Sequence, residues 1–308
     1  MRNAFLPTAL FTRLSTNTLL ETLIQFPLFR LLLKIVFMMI PAVLGQAIAS
    51  SLSVAFSFDT ALLGSILMII GATIGIFAYT NIVEGRPALE LSPKHAITEI
   101  ILGLLLGVLI FSTVVLTMYL VGILKFEGIN TASNLTNFLP ELLIAGFIEE
   151  YIFRGIIFKL SEELLGTWVA IVIQAALFGL IHGSNPNATA FSTFAIAIEA
   201  GILLVAIYML TRRLWMAIGL HFAWNWIQGP FFGIPVSGID VNGFFETSVS
   251  GPEILTGGAF GAEASIIAVI ICTLIGCFVL YKAAKMNNNI VKPLWVRNRI
   301  NEAPIEDN

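Results

Sequence analysis

Three short stretches place side chains capable of acid–base chemistry inside otherwise apolar sequence. The first is Glu149-Glu150-Tyr151-Ile152-Phe153-Arg154. On a helix, Glu150 and Arg154 stand one turn apart and can form an ion pair, while Glu149 points about 100° away from Glu150. One carboxylate is then neutralised and its neighbour stays free to take a proton, as a general base must. The plain alternative is a structural polar cluster between helices. The second stretch is Phe178-Gly179-Leu180-Ile181-His182. Its imidazole is either a proton carrier near neutral pH or an ordinary helix-end residue. In the third, His221-Phe222-Ala223-Trp224-Asn225, His221 and Asn225 share a helix face. Both can donate to a developing oxyanion, or they simply bond across helices. Glu199, with Gln174, is a candidate to orient a histidine or a buried protonated acid. His95 reads as a polar loop residue.

The elements that must hold these groups are membrane helices. Only 11% of the 308 residues are charged and 57% are hydrophobic, against about 25% charged in soluble domains, and the mean hydropathy is +0.93. Such a chain cannot solvate its surface in water. Runs near the roughly twenty apolar residues that cross a bilayer fall at 35–56, 61–83, 97–123, 140–160, 167–183, 188–210, 214–228 and 264–282. The expectation is an all-α polytopic membrane bundle of about eight transmembrane helices, with a kink at Pro41. Residues 35–285 form one transmembrane unit. Residues 1–34 are an N-terminal cytoplasmic segment, with 5–32 along the interface, and 286–308 are a cytoplasmic tail. A cleavable signal is not expected, because the first apolar run is longer than a signal core.

With alternating spans and a cytoplasmic N-terminus, every Lys and Arg except Lys125 and Arg154 falls on the inner side or at its border. This is the bias of the positive-inside rule, so both termini are expected in the cytoplasm. Arg212-Arg213 is then a topology anchor. A net charge of −3 without a basic face argues against a nucleic-acid partner. Cys272 and Cys277, about 140° apart on one helix, fit neither a disulfide framework nor a metal site and read as packing residues. Segment 229–262 is rich in Gly, holds Pro230, Pro235 and Pro252, and has no Lys or Arg. It is either a flexible outer loop or a partly re-entrant cover over the bundle. Charge inside a span costs a few kcal/mol, so the Glu-Glu-Arg cluster and the two embedded histidines point to function.

Glu-Glu-x-x-x-Arg at 149–154, Phe-x-x-x-His at 178–182 and His-x-x-x-Asn at 221–225, in this order and each in an apolar helix, resemble the CPBP family. These are the CAAX-protease and bacteriocin-processing membrane proteins, also called Abi or type II CAAX prenyl endopeptidase-like. The resemblance covers about residues 95–285, and Gly257-Gly258-Ala259-Phe260-Gly261 is similar to bacterial members. It implies an intramembrane endopeptidase in which Glu149 and His182 activate water and His221 and Asn225 hold the oxyanion, supported by Glu150 and Arg154. The implied partners are the bilayer and a membrane-associated peptide or prenylated protein. The implied location is a membrane, with a bacterial cell membrane expected.

No cofactor is favoured. The metal alternative is zinc on Glu149, His182 and His221, which would lower the pKa of a bound water, although His-Glu-x-x-His is absent. A non-catalytic immunity or regulatory protein that binds a partner is the main rival reading. A proton-coupled transporter is a weaker rival, since paired repeats with matched broken helices are not seen.

Overall fold

The computed structural model describes residues 26–56, 60–133, 135–286 and 290–294. The expected interfacial stretch 5–32 lies mostly outside the described residues, as does most of the tail 286–308. Helix α1 (Pro27–Phe56) starts at Pro27, ahead of the expected boundary at 35, and runs through Pro41. Proline at a first helical position costs no hydrogen bond. Arg30 and Lys34 can belong to the helix because Glu163 and Glu84 neutralise them. Helices α2 (Ala61–Ile82) and α3 (Ala96–Leu120) follow. His95, exposed and left-handed, precedes α3.

The fourth apolar run is one long helical stretch of mixed winding. It comprises α4 (Leu139–Ile144), π-helical turns at Ala145–Glu149 and Tyr151–Phe158, and α5 (Lys159–Leu165). Gly166 breaks it at φ +83°, a conformation glycine adopts without steric cost. Helix α6 (Thr167–His182) comes next. Helix α7 (Ala190–Thr211) opens on a capping box in which Thr189 and Ser192 satisfy each other's backbone N–H groups. Helix α8 (Trp215–Trp226) runs on into a π turn at Ile227–Phe231. Helix α10 (Ile266–Lys285), preceded by the short α9 (Glu253–Thr256), is capped by Ser265, whose hydroxyl accepts from the Ala268 N–H. Helices α1, α2, α3, α7 and α10 are long and apolar enough to cross a membrane; α6 is apolar but shorter.

The expectation of helices alone needs one correction. Strands β1 (Leu124–Ile129) and β2 (Phe245–Val249) pair antiparallel, with a bulge between Phe126 and Gly128. The pair joins the turn after α3 to segment 229–262. Phe126 and Phe245 meet across it at 5.1 Å between ring centres, and Phe231, Phe232 and Phe244 complete the aromatic cluster. Aromatic cross-strand contacts are what stabilise so short a ladder.

Two backbone approaches set the depth of the polar residues. A Cβ on Gly107 would lie 2.5 Å from the Leu220 carbonyl oxygen, and one on Gly219 2.5 Å from that of Ile100. Helices α3 and α8 therefore touch backbone to backbone, the close packing that small residues allow in membranes. At Gly179, α6 meets the Thr193 carbonyl of α7 in the same way.

Candidate active site

Arg154 and Glu150 are wholly buried, and Arg154 Nη1 donates to Glu150 Oε1 at 2.8 Å. The second hand of the guanidinium, Nη2, donates to the Ala200 carbonyl on α7 at 3.1 Å. Its guanidinium carbon lies over the Phe178 ring, 4.6 Å from the ring centre. Glu150 Oε1 also accepts from His221 Nδ1 at 3.0 Å. The expected support from Glu150 and Arg154 therefore reaches the site through one imidazole. Glu150 holds the imidazole of His221 directly, and Arg154 acts on it only through Glu150.

The neighbouring carboxylate faces elsewhere. Glu149 keeps a partly exposed side chain, and its Oε2 is buried and accepts no hydrogen bond. That oxygen stands 3.8 Å from His182 Nε2 and 3.9 Å from His221 Nε2. Glu149 ends the π-wound stretch Ala145–Glu149 and Glu150 lies between it and the second, Tyr151–Phe158; such turns concentrate at functional positions.

Each histidine is oriented by its other nitrogen. His182 Nδ1 lies 2.7 Å from the Phe178 carbonyl. A carbonyl only accepts, so Nδ1 carries a proton, and Nε2 is the nitrogen left facing Glu149. The Phe178 ring packs 4.5 Å from His182 and 6.1 Å from His221 between centres. The phenylalanine of Phe-x-x-x-His thus orients one imidazole through its backbone and packs on both through its ring.

Asn225, His221 and His182 line a cavity of about 370 Å³, its open mouth included. Glu199 lines it too, but its neighbours are the Cys272 thiol, which donates to it, and Glu263. A role in orienting a histidine is not what this placement gives it. Gln174 donates from Nε2 to the Gly201 carbonyl at 2.7 Å and pins α6 to α7. Cys272 is buried and Cys277 exposed, so the two form no disulfide.

Sequence reasoning missed Ser237 and Glu263, both in the cavity wall. Glu263 Oε1 accepts from the Ser237 N–H at 2.6 Å and its hydroxyl at 3.0 Å. Burial pushes the Glu263 carboxyl up to about 7, against the pull of these two donors. The Gly238 N–H donates to the Phe260 carbonyl at 2.8 Å, and Asn187 donates to the Gly238 carbonyl at 3.1 Å. Segment 229–262 thus packs against the cavity through Ser237 and is tied down at Gly238. The available signal was a glycine-rich run ending on an acid just ahead of the last span.

The candidate zinc ligands stand wider apart than in a regular tetrahedral site. Two ligands at the usual 2.0–2.1 Å in a tetrahedron stand about 3.3 Å apart, whereas the two imidazoles are 3.8 and 3.9 Å from the carboxylate oxygen. Among the described residues, no group of three or more His, Cys, Asp or Glu is arranged to hold a metal.

No curated protein and no solved structure matches the chain. A family model does match residues 131–227, the one described as type II CAAX prenyl endopeptidase Rce1-like. That stretch, about a third of the chain, carries Glu149, His182, His221 and Asn225, and over it this integral membrane protein is similar to the CAAX-protease (CPBP) family.

Proposed function

We propose that the protein is an intramembrane endopeptidase that cleaves a membrane-associated peptide or protein. The observation that carries this reading is one buried carboxylate oxygen, on Glu149, facing the Nε2 atoms of two histidines from two other helices. A water about 2.8 Å from each of the three groups suits that spacing. Glu149 and the Nε2 lone pair of His182 draw the proton from the water as it attacks the peptide carbonyl, and the acid so formed returns it to the leaving amine. His221, protonated on both nitrogens, and the Asn225 amide donate to the oxyanion. Glu150 stabilises that imidazolium through Nδ1, as a buried carboxylate does for a catalytic histidine.

The same reading places eight helical stretches across the bilayer, with both termini in the cytoplasm. The shorter ones, α6 and α8, stand within the bundle beside the long ones.

The test compares membrane peptides from cells holding the wild type or Glu149→Gln. Removing a general base should lower cleavage at least about a hundredfold, so specific fragments disappear while the variant stays inserted and folded. A divalent-metal chelator should leave cleavage by the purified wild type unchanged. Identical fragment sets from both proteins would rule out the protease and leave a partner-binding role.

A further inference from the structure

The two ends of the bundle carry very different charge. At one end Arg30 pairs with Glu163 at 2.9 Å, Lys34 with Glu84 at 3.4 Å, Lys159 with Glu90 at 2.8 Å and Arg212 with Glu162 at 2.5 Å. Arg86 joins Glu84 to Glu90, and Arg213 joins Glu99. Exposed Lys94 adds to this end. At the other end, the connections 121–138, 183–189 and 232–265 hold one cation among them, Lys125. Cation-rich connections stay in the cytoplasm.

The cavity belongs to the cation-poor end. His182 is the last residue of α6, and α7 starts just beyond it at Ala190. Arg212 lies at the far end of the 22-residue α7, about 33 Å away by helix rise. Ser237 and Glu263, from the cation-poor cover, form part of the cavity wall. The outer surface of that cover exposes Asp240, Glu246 and Glu253 and carries no Lys or Arg.

From this arrangement we infer that the cavity is loaded from the non-cytoplasmic face of the membrane and takes neutral or basic peptide segments that emerge on that face. The acidic cover disfavours acidic peptides, since like charges at an encounter surface slow association. A lipidated C-terminus made and kept in the cytosol has no route to such a mouth. The substrate clause rests on the endopeptidase reading; the facing of the cavity does not.

The experiment uses the full chain in intact cells, with a membrane-impermeant maleimide as probe. Ser184→Cys puts a thiol on an exposed residue beside His182, and Lys94→Cys puts one on an exposed residue at the other end. The parent sets the background, because Cys272 is buried and Cys277 faces out from the spanning helix α10. Ser184→Cys is expected to label in intact cells, and Lys94→Cys only after permeabilisation. An unlabelled Ser184→Cys, or Lys94→Cys labelled in intact cells, overturns the inference. Fragments that depend on Glu149 should come from non-cytoplasmic segments; fragments from cytosolic termini overturn the substrate clause. If no fragment depends on Glu149, the endopeptidase reading falls and takes that clause with it, while the labelling still decides the facing.

Discussion

Glu150 accepts from two donors on one oxygen, Arg154 at 2.8 Å and His221 at 3.0 Å. Glu150→Gln keeps the shape but leaves a wholly buried guanidinium without its counter-charge. Removing one partner of a buried pair costs about 3–5 kcal/mol. The variant should therefore unfold at a clearly lower temperature in detergent, and it should also lose cleavage because His221 is released. Exchanging the two residues, Glu150→Arg with Arg154→Glu, should cost at least as much, since it sets a guanidinium against the imidazole. A swap variant with unchanged thermal unfolding would refute this reading. The pairing itself was legible in the sequence, because residues one helical turn apart meet. The tie from Glu150 to His221, 71 residues later, was not, because no periodicity reports which faces of distant helices meet.

At the scale of elements, the cover is latched by one acid. Glu263 holds the backbone and side chain of Ser237, so Glu263→Leu removes both acceptors while keeping an apolar volume in the wall. Amide hydrogen exchange of the Ser237 stretch should accelerate in Glu263→Leu and stay near wild type in Glu263→Gln, whose amide oxygen still accepts. Equal protection in all three proteins would show that the latch is held elsewhere. The apolar runs gave most helix positions, since each exceeds what a soluble core needs. They hid the strands, because Leu124–Ile129 and Phe245–Val249 are short, polar in alternation and paired only at long range. They also hid the π winding around Glu149, which changes hydrogen bonding without changing composition.

At the scale of the whole molecule, the ion-pair belt ties several helices at one end. Burial pushes the carboxyls of Glu84 and Glu90 up, but the surrounding cations outweigh it. Lys34 and Arg86 hold Glu84 below the usual carboxylate range, and Lys159 and Arg86 hold Glu90 well below it. A folded-state pKa below the unfolded value of about 4.3 gives stability that is complete above that pH. It is lost as pH falls through the folded values. The difference in unfolding temperature between wild type and Glu90→Gln should therefore be constant from neutral pH down to about 5 and shrink below about 4.3. A difference that vanishes already near pH 6 would show that histidine, not the belt, governs acid stability.

Arg154 grips Glu150 with one hand and the Ala200 carbonyl of α7 with the other. Helix α7 contributes none of Glu149, His182, His221 or Asn225, yet it is bolted to the acid that aims one imidazole. A slide of α7 by a single residue, about 1.5 Å along its axis, cannot be absorbed by a rigid guanidinium gripping at both ends. A displacement of this helix is thereby carried as strain to Glu150 and the imidazole it holds, without contact to Glu149, His182 or Asn225.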